Sequence, residues 1–273
     1  MEMHLATVWE SIADAVGPEL ALVHGRQTRT WQEFDDRASR LAAGLLDVGI
    51  DPGSKVGIDL YNCNEFFETF FAALKVGAVP FAVNYRYRER ELLQLLDDAD
   101  AEVVVAHTSL AGRVRSVGAE LLRLRAIVEV ADGSDGETRS QTADADYEQL
   151  IDANAPLQRR RRSEDDMYLG YTGGTTGTPK GVIFTMGAVT RQSIRTMPMI
   201  CDLPSATDDA PAVVARRLRD EGRRPVVVPV SPLMHSTAFT WASLPALCGG
   251  GTIATLPQRR FEPGGVLEGI GRH

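Results

Sequence analysis

Cysteine is scarce in this 273-residue chain: Cys63, Cys201 and Cys248 lie far apart with no paired spacing, which excludes a disulfide framework and a C-x-x-C zinc cage. Reduced, cytoplasmic surroundings suit such a chain. A basic excess is also missing, because 29 Lys and Arg against 37 Asp and Glu leave a net charge of −8. That balance argues against a nucleic-acid binder, whose lysines and arginines must displace counterions from phosphate. No apolar run approaches the roughly 20 residues that span a bilayer, and Met1-Glu-Met-His4 carries acid where an export signal carries base. An unexported protein without a transmembrane segment is expected. What is present, 44% hydrophobic and 24% charged residues, is the balance of one large or two modest globular domains.

Helix and strand signals alternate. Leu5, Val8, Trp9, Ile12 and Val16 recur at helical spacing before Gly17-Pro18. A second helix is predicted over 31–48 and a strand over 55–60. Asn64 is placed as the cap of a helix carrying Phe66, Phe67, Phe70, Phe71 and Leu74, ended by Gly77. Strands follow at 78–83, 102–106 and 126–131, with helices near 88–98 and 110–122 between them. This rhythm predicts an α/β fold of mostly parallel sheets covered by helices. Between Asp132 and Ser163 the composition turns polar, and Arg159 to Arg162 form an unbroken basic run read as a solvated surface connection. We therefore place one α/β lobe over 1–162 and a second over 163–273. In the second, strands are predicted at 182–185, 226–230 and 252–256, with helices from about 187 and from 208 or 209 to 220, and a short one at the end.

Residues 168 to 182 read Tyr-Leu-Gly-Tyr-Thr-Gly-Gly-Thr-Thr-Gly-Thr-Pro-Lys-Gly-Val. Successive glycines let backbone N–H groups converge on an anion, threonine hydroxyls add donors, and Lys180 supplies a full positive charge. An ordinary NTPase P-loop places its lysine after the last glycine and opens a helix at once. Here Lys180 follows Pro179 and precedes Gly181, and the β-branched and aromatic Val182-Ile-Phe-Thr185 predicts a loop joining two strands. A Gly-x-Gly-x-x-Gly dinucleotide fingerprint is absent from this stretch.

The run Tyr171 to Gly181 resembles the phosphate-binding signature of the adenylate-forming (AMP-binding) enzymes. Asn84-Tyr-Arg-Tyr87 with Glu91-Leu-Leu93, Ala72 to Pro80, and Pro232-Leu-Met-His235 extend the similarity toward the fatty-acyl and steroid-side-chain acyl-CoA synthetases of actinobacterial type. The resemblance implies activation of a carboxylic acid by ATP to an acyl-adenylate, then transfer to coenzyme A. It implies that Thr172, Gly173, Gly174, Thr175, Thr176, Gly177, Thr178 and Lys180 hold the β- and γ-phosphates, with Lys180 also catalytic. It implies a magnesium contact on a loop hydroxyl, for which Thr175 is the candidate. It places His235 at the junction of acid and nucleotide, with Ala238, Phe239 and Trp241 as candidate lining of an acyl channel. Two other readings keep the loop but change its use: a non-catalytic remnant that binds nucleotide or a partner chain, and an adenylation domain that loads a carrier protein.

Members of that family continue well beyond this length. The segments that the resemblance assigns to adenine, ribose, the hinge and the mobile C-terminal lid are not found after Leu256. The expectation is the N-terminal portion of an acyl-CoA ligase, arising by truncation or from a split gene, with an unpaired sheet edge. A complementing C-terminal chain or a second copy is the expected partner.

Overall fold

The computed structural model describes residues 2–133, 145–172, 180–203, 209–259 and 262–272. In chain order these form α1 (Leu5–Val16), β1 (Leu20–His24), β2 (Gln27–Thr30), α2 (Trp31–Asp47), β3 (Lys55–Asp59), α3 (Asn64–Val76), β4 (Val79–Ala82), α4 (Glu89–Asp98), β5 (Ala101–His107), α5 (Thr108–Gly118) and β6 (Ala126–Val130). They continue as β7 (Ala145–Asp146), α6 (Tyr147–Ala153), β8 (Met167–Thr172), β9 (Lys180–Thr185), α7 (Met186–Ile200), α8 (Pro211–Asp220), β10 (Val226–Val227), a π-helical turn (Phe239–Ser243), α9 (Leu244–Cys248), β11 (Thr252–Thr255) and α10 (Pro263–Arg272). The α/β class predicted from the sequence is the class observed.

A seven-stranded sheet runs β7-β6-β5-β3-β4-β8-β9 and is parallel except for the β8/β9 pair. A four-stranded sheet runs β10-β11-β1-β2, its two central strands joined by the parallel pairing of Leu22 with Ile253. Strand pairing therefore crosses residue 162 in both sheets: β8 docks on β4, while the N-terminal β1 and β2 join β10 and β11. The alternation of β5 explains how the larger sheet is covered. Val103 and Val105 enter one apolar core with α1, α2 and α3, whereas Val104 and Ala106 enter a second with α4 and α5.

Helix ends follow local chemistry. Thr30 and Glu33 form a reciprocal capping box at the start of α2, and Gly77 ends α3 in the left-handed region at φ 78°. Asn64, expected as the cap of α3, is instead its first residue, and Cys63 occupies the cap without a side-chain bond. The Asn64 amide lies 3.5 Å from the Gln27 carbonyl, reaching back to the hairpin that packs beside it. The third strand of the second half is also shorter than predicted: only Val226 and Val227 pair.

Within the arginine run Arg159, Arg160 and Arg161 are exposed, as expected of a solvated connection, but Arg162 is not, and the run is tied down by ion pairs. Arg162 is buried and donates two 2.8 Å bonds to Glu10 of α1. Arg159 bonds Asp14 and Asp35, and Arg160 packs over Gly77, where an added Cβ would meet its guanidinium. Beneath them Lys75, only 2% exposed, sits between Glu10 at 2.8 Å and Asp35 at 2.6 Å, with Phe71's ring 4.1 Å away. The strap thus completes an ion cluster that pins α1, α2 and α3 together. Upstream of the strap, Tyr147 is buried and its hydroxyl donates to Glu68 at 2.9 Å.

Candidate functional site

The predicted phosphate loop leaves β8 and returns into β9, which pair antiparallel from Met167↔Thr185 to Thr172↔Lys180. Gly173, Gly174, Thr175, Thr176, Gly177, Thr178 and Pro179 lie outside the described residues. Their two posts are well defined. Tyr171 donates from its hydroxyl to Asp98 at 2.8 Å, and Tyr168 stacks on Phe184 across the pair at 4.9 Å and 13°. Gly170 permits that stack, since a Cβ there would come within 2.7 Å of the Phe184 ring. Lys180 stands exposed at the loop's exit. Because β8 runs parallel to β4, the loop emerges at the same edge as the C-terminal ends of β3, β4, β5 and β6, where ligands of open α/β sheets bind.

The second predicted group follows β10. His235 is exposed in a turn, its N–H donating to the Pro232 carbonyl at 3.0 Å, and its own carbonyl accepts from Phe239 at 3.2 Å. The structure splits the candidate acyl-channel residues. Ala238 and Phe239 are buried, with the Phe239 ring edge-on to Phe70 at 4.7 Å and to Phe66 at 5.5 Å in the core beside α3. Trp241, in the π turn, is 53% exposed. Thr240 between them lies 3.4 Å from the Tyr168 hydroxyl, which ties this turn to the strand entering the phosphate loop.

A cleft of about 360 Å³ opens at the strand ends, between the two sheets and beside residues 229–232. Tyr61 lies at its centre, 4.8 Å from the Tyr85 ring and stacked on His107 at 5.3 Å, with the Arg259 guanidinium 4.6 Å from its face. Asp132 fixes Arg259 at 2.8 Å and accepts from Ser109. Arg86 adds a second exposed guanidinium. The backbone of the Asn84 to Tyr87 segment is held by Arg113, which donates to the carbonyls of Tyr85 at 2.6 Å and Tyr87 at 2.8 Å and to Asp59 at 2.7 Å. This assigns the resembling segment a shape that a strand-buried pair enforces.

Burial governs the titrating groups here. It pushes the His107 imidazole down to about 4, against the pull of Asp132 and with the help of Arg259, so its Nδ1 is free to accept from the Tyr61 N–H at 3.1 Å. His24 is lowered for the same reason. Asp59 is pushed up to about 6 by burial, against the pull of Arg113. Ring faces and guanidinium groups together suit a ligand that is flat in one part and anionic in another. Sequence reading missed this grouping because Tyr61, His107, Asp132 and Arg259 end or follow four different strands, and no local spacing links them.

The sequence profile described as "AMP-binding enzyme" matches residues 10–273. The medium-chain acyl-CoA ligase Mig of Mycobacterium avium is 33% identical over 260 residues, covering 90% of this chain and 46% of the relative. A 3-oxocholest-4-en-26-oate–CoA ligase of Rhodococcus rhodochrous is 30% identical over 261 residues, covering 94% and 46%. Among solved structures, a long-chain-fatty-acid-CoA ligase of Archaeoglobus fulgidus superposes with a TM-score of 0.79 at 20% identity, over 100% of this chain and 50% of that one. ATP-bound MatB of Rhodopseudomonas palustris gives 0.78 at 20%, over 100% and 48%. The chain spans about half the length of the curated relatives it matches.

Proposed function

The chain belongs to the AMP-binding enzyme family, and from that premise we propose that it is the triphosphate-gripping N-terminal part of an AMP-forming acyl-CoA ligase acting on a fatty or related lipid acid. The observation that carries this reading is the pairing of Thr172 with Lys180, which closes the glycine–threonine loop between two strands at the ligand-binding edge of the sheet. Supporting the acid class are the names of the relatives, which are ligases of medium-chain fatty and steroid-derived acids.

In the proposed reaction a carboxylate oxygen attacks the α-phosphorus of ATP, the bond to pyrophosphate breaks, and the mixed anhydride is then opened by the thiol of coenzyme A with release of AMP. The protein's task is mainly to position groups and to stabilise developing charge. Backbone amides of Gly173, Gly174 and Gly177, hydroxyls of Thr172, Thr175, Thr176 and Thr178, and the Lys180 ammonium hold the β- and γ-phosphates. Hard oxygen donors also suit magnesium, which neutralises phosphate charge when bound and for which the Thr175 hydroxyl is the contact we assign. His235 and Trp241 face the acid, and Ala238 and Phe239 back them from the core.

Triphosphate binding by the chain, followed by calorimetry, tests the loop. Lys180→Ala is expected to weaken it by roughly 10- to 100-fold, the value of one charge-assisted contact. Unchanged ATP affinity overturns the assignment. ATP–pyrophosphate exchange across a panel of carboxylic acids, with the C-terminal portion of a relative supplied, identifies the acid. Transfer to coenzyme A rather than to a phosphopantetheinyl carrier separates a CoA ligase from a carrier-loading domain.

A further inference from the structure

We propose that Asn62 is a positioning residue that sets the His235 loop, an inference that rests on the acid-facing role given above to His235. The side chain bridges two elements 169 residues apart. Its Nδ2 donates to the Ser231 carbonyl at 3.1 Å, and its Oδ1 accepts from the Leu233 N–H at 2.8 Å. The amide's orientation is fixed by its partners, since an N–H can meet only the oxygen and a carbonyl only the nitrogen. The two bonds straddle Pro232, which has no N–H, and the Pro232 carbonyl accepts from His235 at 3.0 Å. Asn62 therefore acts as a one-residue substitute for a neighbouring strand, satisfying the flanking backbone groups of a loop that the four-stranded sheet has already released.

The base of the clamp is itself fixed. The Tyr61 N–H donates to His107 at the end of β5, and α3 begins two residues after Asn62 and sends Phe66, Phe67 and Phe70 against Phe239. Both flanks of His235 thus rest on residues 62–70, with Asn62 on the N-terminal side and the phenylalanine cluster on the C-terminal side. The aromatic contact sets how far the turn lies from α3. The asparagine sets its register along the strand edge, because it reads the individual backbone groups of residues 231 and 233.

The test uses Asn62→Ala, which removes both bonds, and Asn62→Asp, which keeps the acceptor but turns a carboxylate toward the Ser231 carbonyl. Two readouts do not depend on turnover: the His235 imidazole resonance in histidine-labelled protein, and acrylamide quenching of Trp241, since Trp9 and Trp31 are fully buried. Both are expected to shift in Asn62→Ala and to shift partway in Asn62→Asp, with ATP affinity unchanged. Wild-type resonance and quenching in the alanine variant, or in the aspartate variant if alanine fails to fold, overturn the clamp. In acid-dependent exchange, a misplaced loop is expected to lower the rate by roughly 10- to 100-fold with the KM for ATP unmoved. A His235→Ala variant run alongside separates the two ideas. If it is silent, the role of His235 falls and the clamp stands on its spectroscopic readouts; if it is impaired while Asn62→Ala is not, the clamp falls.

Discussion

β3 and β9 belong to the same sheet, yet they live in different environments. Ile58 on β3 is 1% exposed between two helical layers, whereas Ile183 on β9 is 64% exposed on an edge whose Val182 and Phe184 are also open. The central strand spends its polar end on fixing other segments: Asp59 holds Arg113 and through it residues 85 and 87, and Asn62 holds residues 231–233. Among the described residues β9 has its ladder to β8, the Phe184 stack and the Thr185 cap of α7, and it carries the exit of the proposed phosphate loop. Burial is concentrated at the centre, and the strands that flank the proposed binding loop lie toward the rim, the arrangement expected when binding segments are drawn from the least stable part of a fold.

Substitutions can break or sharpen that contrast. The largest effect is expected at the helical layer behind β3, where Lys75→Ala strands Glu10 and Asp35 without their shared cation and should cost about 3–5 kcal/mol in urea unfolding. A loss below about 1 kcal/mol would show that Arg159 and Arg162 neutralise the pocket unaided. A matched pair comes next: Ile58→Ala should cost about 2–5 kcal/mol, while Ile183→Ala should stay within about 0.5 kcal/mol. Equal losses would erase the distinction between core and rim.

The smallest effect is a pH slope. Burial lowers His107 to about 4 and, with Arg162 nearby, His4 to about 3, so the folded chain refuses protons that the unfolded chain takes up below pH 6.5. Stability from these groups is complete above pH 6.5 and is lost as pH falls, by about 1 kcal/mol per histidine between pH 7 and 5.5. Asp59, raised to about 6, works in the opposite direction over that window. The share of His107 is therefore read as the difference in slope between the wild-type chain and His107→Gln. Identical slopes would place its titration elsewhere.

Much of this was legible in the sequence where chemistry is local. Apolar spacing marked α1 and α3, Gly77 marked a helix end, and the order Pro179-Lys180-Gly181 with β-branched residues after it announced a strand-to-strand loop. What escaped depends on partners remote in sequence. The arginine run looked like a solvated connection because nothing near it in the chain reveals Glu10, 152 positions from Arg162. Phe239 and Trp241 are two residues apart, but their placement in core and at surface follows from a π turn that no periodicity encodes. The cleft and the Asn62 clamp depend on strand ends that come together only after the sheets have formed.

The pairing of β1 with β11 also sets a clock. His24 and Thr255 share a 2.8 Å contact across 231 positions, and Trp31 donates to the Gly250 carbonyl. On a ribosome moving at roughly 5–20 residues per second, the first hairpin is made tens of seconds before its sheet neighbour exists. The strands between, β3 to β6, can assemble in that interval, so β1 and β2, although made before them, reach their final place later.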